Sequence, residues 1–455
     1  MSVATNFKPK PNRSRVWIIP ITGLVIFALL LGWHAFKRNL TEQEFAAQIA
    51  AIRAQGYPTS AADLDAWYPE PPVADNAALV YGTAFNQITG VPPSTPWFDT
   101  QSSSNILSRT NPIPPAARSE LASLVASNQA PLKLLHDGAR LPSSRYPINL
   151  SGGFNATFSH LNGLKNATRV LTYESLDHAL NARLAASIDS LIVSLRVGHS
   201  LSNEPVIISS LLQCAAYTQT ATSLENILSR ASFDPSTVKP LLDEILRAEH
   251  SLHPQRAFAG ERAIGLDAFG NSVQIFGANM NSPAASSSPS FGTKLTASAY
   301  DALLKESDRR TYLEVMEEYI SACTNEVTRL NPALKEASAS FNQKLANTYP
   351  LRMLLTRMML PSLEKAGERH VTTIAQLRLA RLALILQSGP HPESLSALNE
   401  IPLDPFDGKP LRYRRTETGF MIWSIGPDGI DQGGKPRQKN SGDAYDLVFT
   451  VEKSP

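Results

Sequence analysis

The stretch "TYLEVMEEYISACTNEVTRL" at residues 311–330 indicates the fold class, because its apolar residues recur at helical spacing. The stripe consists of Tyr312, Val315, Met316, Tyr319, Ile320, Cys323, Val327 and Leu330. Steps of three and four residues place such side chains along one face of a helix. We therefore predict a single amphipathic helix of about five turns. Its apolar face needs other helices for burial.

Stripes of the same period lie earlier in the chain. One runs from Leu180 through Leu184 to Leu195, another from Ile208 to Leu228, and a third from Val238 to Ile245. Such stripes bury one another when helices pack side by side. The sequence therefore predicts an all-α body, bundled or loosely solenoidal, although no fixed repeat length indicates a solenoid.

Two irregular segments interrupt this helical region, which we place at residues 37–370. The segments near 89–115 and 279–292 are rich in Pro, Ser, Thr and Asn. Such composition is typical of loops and carries too few apolar residues for a core. The predicted body is therefore helical, with two long loops.

Composition excludes several classes of function. The 455 residues include 42 basic and 40 acidic side chains, for a net charge of +2, and no dense basic patch occurs. We therefore predict no nucleic-acid partner. The two cysteines, Cys214 and Cys323, are too few for a disulfide framework, and whether they form a bridge stays open.

The N-terminal segment favours membrane insertion by one helix. Residues 16–36 form an uncharged run, "VWIIPITGLVIFALLLGWHAF", about as long as a helix needs to cross a bilayer. No small-residue cleavage site follows, so an uncleaved anchor is favoured over a signal peptide. Basic residues in the tail at 1–15 predict that this tail is cytoplasmic, that the bulk lies outside the cytoplasm, and that the protein is a single-pass cell-membrane protein.

From residue 371 the pattern changes. A helix over "TTIAQLRLARLALILQ" leads to "LDPFDGKPLRYRR" and "GFMIWSIGPDG", which have the turn residues and alternation of a hairpin, and "YDLVFTV" is the last strand. The whole chain is therefore predicted to be mainly α, with a transmembrane helix, a helical ectodomain and a small α+β module (helix plus antiparallel sheet) at 371–455.

This module resembles the C-terminal part of the major pseudopilin of type II secretion. The resemblance rests on Asp404-Pro405-Phe406-x-Gly408, on Ser424-x-Gly426-x-Asp428-Gly429, and on the closing "DAYDL". It covers about 80 residues, which is a small part of the chain. The N-terminus departs from the pseudopilins, because no Gly-Phe-x-x-x-Glu peptidase signal opens the apolar run.

In the pseudopilins the corresponding loop holds calcium. The resemblance therefore implies a calcium site here, with four candidate ligands: Asp428, Asp431, Asp443 and Asp446. Calcium prefers several oxygen ligands in flexible geometry, which aspartates on a Gly-rich loop supply. Lys435, Arg437 and Lys439 lie in the same loop and would offset the negative charge, so an ion-free acidic turn remains the alternative.

Most of the ectodomain is similar to an uncharacterised family of membrane-anchored proteins from planctomycetes and verrucomicrobia. The similar segments are "GYPTSAADLDAWYPEPPVADNAALVY", "SLSNEPVIISSLLQCAAY" and "GERAIGLDAF", followed by the "LDPFDGKPLRYRR" ending. This resemblance implies a shared fold and an N-terminal anchor. It implies no activity.

Two charged clusters are weaker candidates for chemistry. Glu261, Arg262 and Asp267 could pair in a cleft as acid and base, or form a helix-terminal ion-pair network. The helical stretch "EHSLH" brings together Glu249, His250 and His253, which is either an incomplete metal site or a surface helix end. No nucleophile elbow, zinc-protease helix or phosphate-binding loop motif occurs.

The sequence thus leaves three functions open. The first is a non-enzymatic envelope protein that binds or scaffolds other envelope proteins. The second is an accessory component of a secretion or pilus-like system, and the third is an envelope hydrolase that uses carboxylates near Glu261.

Overall fold

The protein is mainly helical, with a small antiparallel sheet near its C-terminus, as predicted. A computed structural model describes residues 13–92, 112–277, 291–360, 363–387, 389, 391–398, 400–436 and 445–453. The predicted loops near 89–115 and 279–292 lie mostly outside these residues.

Sixteen α-helices occur among the described residues. They are α1 (Arg13–Ala54), α2 (Ala61–Trp67), α3 (Ala77–Phe85), α4 (Pro115–Ser127), α5 (Gln129–Gly138), α6 (His160–Leu180), α7 (Leu184–His199), α8 (Ile207–Leu228), α9 (Pro235–His250), α10 (Pro254–Ala268), α11 (Ser272–Gly277), α12 (Phe291–Leu303), α13 (Lys305–Ala322), α14 (Val327–Asn347), α15 (Leu354–Met359) and α16 (Leu363–Leu386). Short 3₁₀ turns at Val73–Asp75, Leu150–Asn155, Pro350–Met353 and Leu395–Ala397 connect some of them.

Helix α1 contains the whole predicted membrane span at 16–36 and continues to Ala54. None of the helices in the described part of the chain combines the length and the apolar character that a bilayer crossing requires. The structure therefore lends no support to the predicted transmembrane helix.

The stretch at 311–330 forms two helices, so the prediction of a single helix was wrong. Helix α13 ends at Ala322 and α14 begins at Val327. The side-chain amide of Asn325 donates to the carbonyl of Ala322 at 2.9 Å and closes the end of α13. Glu326 then has φ −55° and ψ 153°, which is not helical, and a separate helix begins after it at Val327. The apolar spacing continued across the break because both helices face one core.

The stripe from Leu180 to Leu195 is also divided, since Leu180 ends α6 and Leu184 begins α7. Ala182 between them has a φ of 56°, a left-handed conformation that a helix does not tolerate. Arg183 Nη2 lies 2.6 Å from Asp177 Oδ2 and holds the connection. The predicted helices over Ile208–Leu228 and Val238–Ile245 are confirmed as α8 and α9.

The sheet confirms the predicted hairpin and final strand. Strands β1 (Arg412–Arg415), β2 (Gly419–Ser424) and β3 (Leu447–Glu452) pair antiparallel in the order β1-β2-β3. Phe420 lies opposite Val451, and Ile422 lies opposite Phe449. Gly419 is required at the start of β2, because a Cβ there would lie 1.9 Å from the carbonyl oxygen of Val451.

One hydrophobic cluster joins this sheet to the helical bundle. Buried side chains of α7, α8 and α16 share it with Phe420, Ile422, Phe449 and Val451 of the sheet. A second cluster fills the space among α10, α13, α14 and the start of α16. Cys214 and Cys323 are buried in different clusters and both are free thiols, which settles the question of a bridge.

Candidate functional site

Asp404 organises the turn that carries the pseudopilin-like motif. Its carboxylate is fully buried and accepts hydrogen bonds from the Ser424 hydroxyl at 2.8 Å and the Ile425 amide at 2.9 Å. Arg412 Nη1 donates to the same carboxylate at 2.7 Å, and the Phe406 amide donates at 3.0 Å. These hydrogen bonds therefore hold the turn that begins at Asp404 against the end of β2.

The predicted calcium ligands that the structure describes accept hydrogen bonds from N–H groups of the loop and of strand β2. Asp428 accepts from the Gln432 side-chain amide at 2.6 Å, and Asp431 accepts from the indole of Trp423 at 2.9 Å. Asp446 is buried and accepts from the Gly434 amide at 2.7 Å. Asp443 lies outside the described residues.

A cation in this loop would have to displace those donors. Arg412 also lies beside the loop, with its Nε 3.6 Å from Asp431 Oδ2. Over the part of the chain that the structure describes, no group of three or more His, Cys, Asp or Glu side chains is arranged to hold a metal ion. Calcium binding therefore stays a prediction of the resemblance, and these contacts favour an ion-free turn.

Glu261, Arg262 and Asp267 on α10 do not converge on one another. Burial raises the pKa of Glu261, although a backbone hydrogen bond from Ile207 opposes the shift. Arg262 is buried in an ion pair with Glu317, and Asp267 accepts from the Ala61 amide at 2.7 Å. The three side chains therefore contact three different elements instead of one another, and among the described residues only Arg262 does so through an ion pair, so neither the acid-base pair nor an ion-pair network is formed.

The glycines of "GERAIGLDAF" explain the rest of this motif. A Cβ on Gly260 would lie 1.6 Å from the carbonyl oxygen of Pro205, and one on Gly265 would lie 1.9 Å from the hydroxyl of Tyr312. Helix α10 therefore approaches its neighbours closely at both glycines. The two glycines of this motif therefore allow α10 to pack closely against its neighbours.

Glu249 also points away from the two histidines near it in sequence. Its carboxylate is buried and lies 2.7 Å from Arg378 of α16, whereas His250 and His253 are exposed. The three side chains therefore do not form the incomplete metal site that their spacing allowed. They lie instead along the wall of a groove.

This groove is the main candidate site and has two adjoining lobes. The first encloses about 1000 Å³ between the end of α9, the start of α10, the turn after α13, and α16. The second encloses about 580 Å³ between α7, α9 and the proline-rich segment at 69–72. Four residues line both lobes: His199, Ser202, Asn203 and Arg247. We call the two lobes together the His199 groove.

The sequence His-Ser-Leu occurs at the ends of two helices beside the groove. His199 is the last residue of α7 and His250 is the last residue of α9. Each histidine is followed by a serine, Ser200 or Ser251, and then by a buried leucine. The Ser200 hydroxyl bonds the carbonyl of Val197 at 2.6 Å, and the Ser251 hydroxyl bonds the carbonyl of Ala248 at 2.8 Å. Both serines thus close the last helical turn.

A buried tyrosine lies against each of these serines. Tyr146 Oη is 2.8 Å from the hydroxyl of Ser200, and Tyr217 Oη is 2.8 Å from that of Ser251. The repeated His-Ser-Leu therefore fixes both helix ends and leaves a histidine at the groove each time. This short repeat is the signal in the sequence by which the groove could have been found.

The charged side chains of the groove are held either in ion pairs or by contacts with backbone carbonyls and an aromatic ring. The Glu244 carboxylate is nearly buried and accepts from Arg196 Nε at 3.0 Å and from Arg247 Nη1 at 2.9 Å. Arg256 packs over the ring of Trp67, with its guanidinium carbon 4.0 Å from the ring centre. It also donates to the backbone carbonyls of Asn203 and Trp67. These arginines are rigidly placed at the rim.

Burial lowers the pKa of His199, and the positive charges of Arg247 and Arg196 lower it further, against the opposite influence of Glu244. These influences together favour the neutral imidazole of His199. Its Nδ1 is buried and has no hydrogen-bond partner among the described residues, and the same holds for the hydroxyl of Ser144. The second lobe thus contains two polar groups that a ligand could satisfy.

Comparisons with known proteins identify no relative of this chain: no protein-family model, no curated protein and no solved structure matches it. The resemblances to the pseudopilins and to the planctomycete and verrucomicrobial family therefore stay predictions.

Proposed function

We propose that this chain is a membrane-anchored, non-enzymatic binding protein that holds another envelope protein in the His199 groove. The observation that carries the proposal is the groove itself, a depression of about 1000 Å³ that continues into a second of about 580 Å³. Ligand sites are commonly concave, with aromatic walls and a few fixed polar groups.

The chemistry of the groove favours holding over reaction. Its buried carboxylates, Glu244 and Glu249, are each paired with arginines at 3.0 Å or less. A general acid or base needs a carboxylate that is free to exchange a proton with its substrate. Paired carboxylates of this kind fix the arginines in place instead.

The anchor is proposed from the sequence. Residues 16–36 are uncharged, and basic residues precede them in the tail at 1–15. With this orientation the groove faces the periplasmic or exoplasmic side. Alkaline carbonate extraction of native membranes tests the anchor: the full chain should stay in the pellet, and its release into the supernatant would contradict the proposal.

Site-specific photo-crosslinking tests the binding function. A photoreactive amino acid at Ser202, which lines both lobes, should give an adduct of discrete mass in intact membranes. The matched control places the same amino acid at Lys239, an exposed position on α9 outside the groove. Absence of an adduct at Ser202, or equal adducts at both positions, would refute the proposal.

The identity of the adduct also tests the runner-up function. An accessory of a secretion or pilus-like system should crosslink to a component of that machine. The only support for this alternative is the resemblance of the C-terminal module, so any other partner would favour a separate binding role.

A further inference from the structure

We infer that the His199 groove binds an extended peptide segment of its partner through the acidic side chains of that segment. This inference rests on the proposed binding function and adds the chemical class of the partner. It is carried by the charges of the groove, by its unsatisfied polar atoms, and by its shape.

The groove has more positive than negative groups. Its arginines are Arg140, Arg196, Arg247, Arg256 and Arg378, and its acidic residues are Glu70, Glu244 and Glu249. One carboxylate, that of Glu244, serves both Arg196 and Arg247. Over the described residues, Arg256 has no carboxylate within ion-pair distance and donates only to carbonyls. An excess of positive charge is therefore available at the junction of the lobes.

Arg247 is well placed to contact a ligand. Its side chain is 56% exposed, so only part of its guanidinium is used by Glu244. A guanidinium presents several N–H donors in one plane and matches a carboxylate with two parallel hydrogen bonds. Arg247 lines both lobes and can therefore bind an acidic group at their junction.

His199 Nδ1 and the Ser144 hydroxyl lie in the second lobe without partners. A carboxylate oxygen there would accept a hydrogen bond from the Ser144 hydroxyl, and from His199 Nδ1 when that nitrogen carries a proton. The titratable and charged groups around His199 are Glu244, Arg247, Arg196 and His253. A bound carboxylate would add negative charge to this set and favour the protonated imidazole. Binding should therefore strengthen as the pH falls through the range in which His199 takes up a proton.

Apolar side chains in the first lobe favour a peptide over a bare anion. This lobe is lined by two aromatic and three aliphatic side chains: Trp67, Tyr57, Leu252, Leu330 and Ile374. The two lobes share four lining residues, so an extended peptide could lie along both lobes. The net charge of only +2 over the whole chain argues against a polyanion such as nucleic acid.

Fluorescence anisotropy with the purified full chain in detergent tests this inference. The probe is a short labelled peptide of alternating glutamate and leucine, compared with the same peptide carrying glutamine in place of glutamate. We expect saturable binding of the acidic peptide only. Arg247→Gln and Arg256→Gln should each weaken it by about tenfold. The control Lys239→Gln, which removes an exposed charge from the same helix as Arg247, should leave the affinity unchanged.

Three results would overturn the inference. Equal binding of the glutamine peptide would show that the groove does not recognise charge. Full competition by inorganic phosphate at the concentration of the acidic peptide would show that the groove binds a phosphate group. No binding of either peptide, with the Ser202 crosslink intact, would refute the acidic peptide and leave the proposed binding function standing. Loss of the crosslink as well would refute both.

Discussion

Asp404 is the single residue on which the C-terminal turn depends most. Its buried carboxylate accepts from two backbone amides and the Ser424 hydroxyl, and it pairs with Arg412. Burying a charge is costly unless it is paired and hydrogen-bonded, and here each requirement is met. Removing the carboxylate would take this acceptor from the Ser424 hydroxyl and the two amides, while Arg412 would keep its contacts with Asp407.

We therefore expect Asp404→Ala to lower the free energy of unfolding by about 3 kcal/mol, in the range for breaking a buried pair. Thermal denaturation followed by circular dichroism measures the change. The control is Asp428→Ala, because Asp428 lies in the same module but is exposed. An equal loss of stability in both variants would show that Asp404 has no special role.

The two motifs of this module show what could be read from sequence at the residue scale. The turn and hairpin residues were predicted correctly, because proline fixes φ and glycine tolerates the positive φ that turns need. The ligand role of the aspartates has no support from their contacts, because Asp428, Asp431 and Asp446 accept hydrogen bonds from N–H groups of the loop and of Trp423 in β2. Spacing along the chain does not show which way a carboxylate turns.

At the scale of elements, His136 joins three helices. It lies on α5, and its Nε2 is 2.9 Å from Glu174 of α6 while its Nδ1 is 2.9 Å from Asp189 of α7. Both nitrogens donate only in the imidazolium form. Burial lowers the pKa of His136, but the hydrogen bonds to Asp189 and Glu174 outweigh it and raise the pKa to about 9.

This raised pKa predicts a pH-dependent contact. The stabilisation is fully present below the unfolded pKa of 6.5 and is lost as the pH rises through the folded pKa of about 9. We expect His136→Gln to cost about 1–2 kcal/mol at pH 6, allowing for the partial exposure of the pair, and almost nothing at pH 10. Urea denaturation of both proteins across this range measures the difference. A constant difference would contradict the assignment.

Sequence periodicity did not predict where individual helices begin and end. The apolar stripe passes from α13 into α14 without interruption, yet Asn325 and Glu326 separate the helices. The same happens at Ala182 between α6 and α7. Periodicity reports which face is buried, whereas a break depends on a cap or a single backbone angle. The His199 groove lies at such helix ends, which is why it was not predicted.

At the scale of the whole molecule, the sheet shares a core with part of the helical body. The inward residues of β2 and β3 share a cluster with α7, α8 and the part of α16 from Ile374 to Leu386, whereas the start of α16 belongs to the second cluster. The sequence predicted the helix and the sheet but gave no sign of this sharing, because apolar residues of a strand do not indicate what they pack against.

A shared core predicts that damage to the sheet spreads into the helices. Phe449→Ala in β3 removes a side chain that is 4% exposed and should cost about 3–5 kcal/mol. Hydrogen exchange followed by mass spectrometry should then show faster exchange in α8 and α16 as well as in the strands, because these elements lose stability together. The control is Val448→Ala on the same strand, since Val448 is half-buried and faces away from that cluster. Faster exchange confined to the strands would show instead that the sheet unfolds as an independent module.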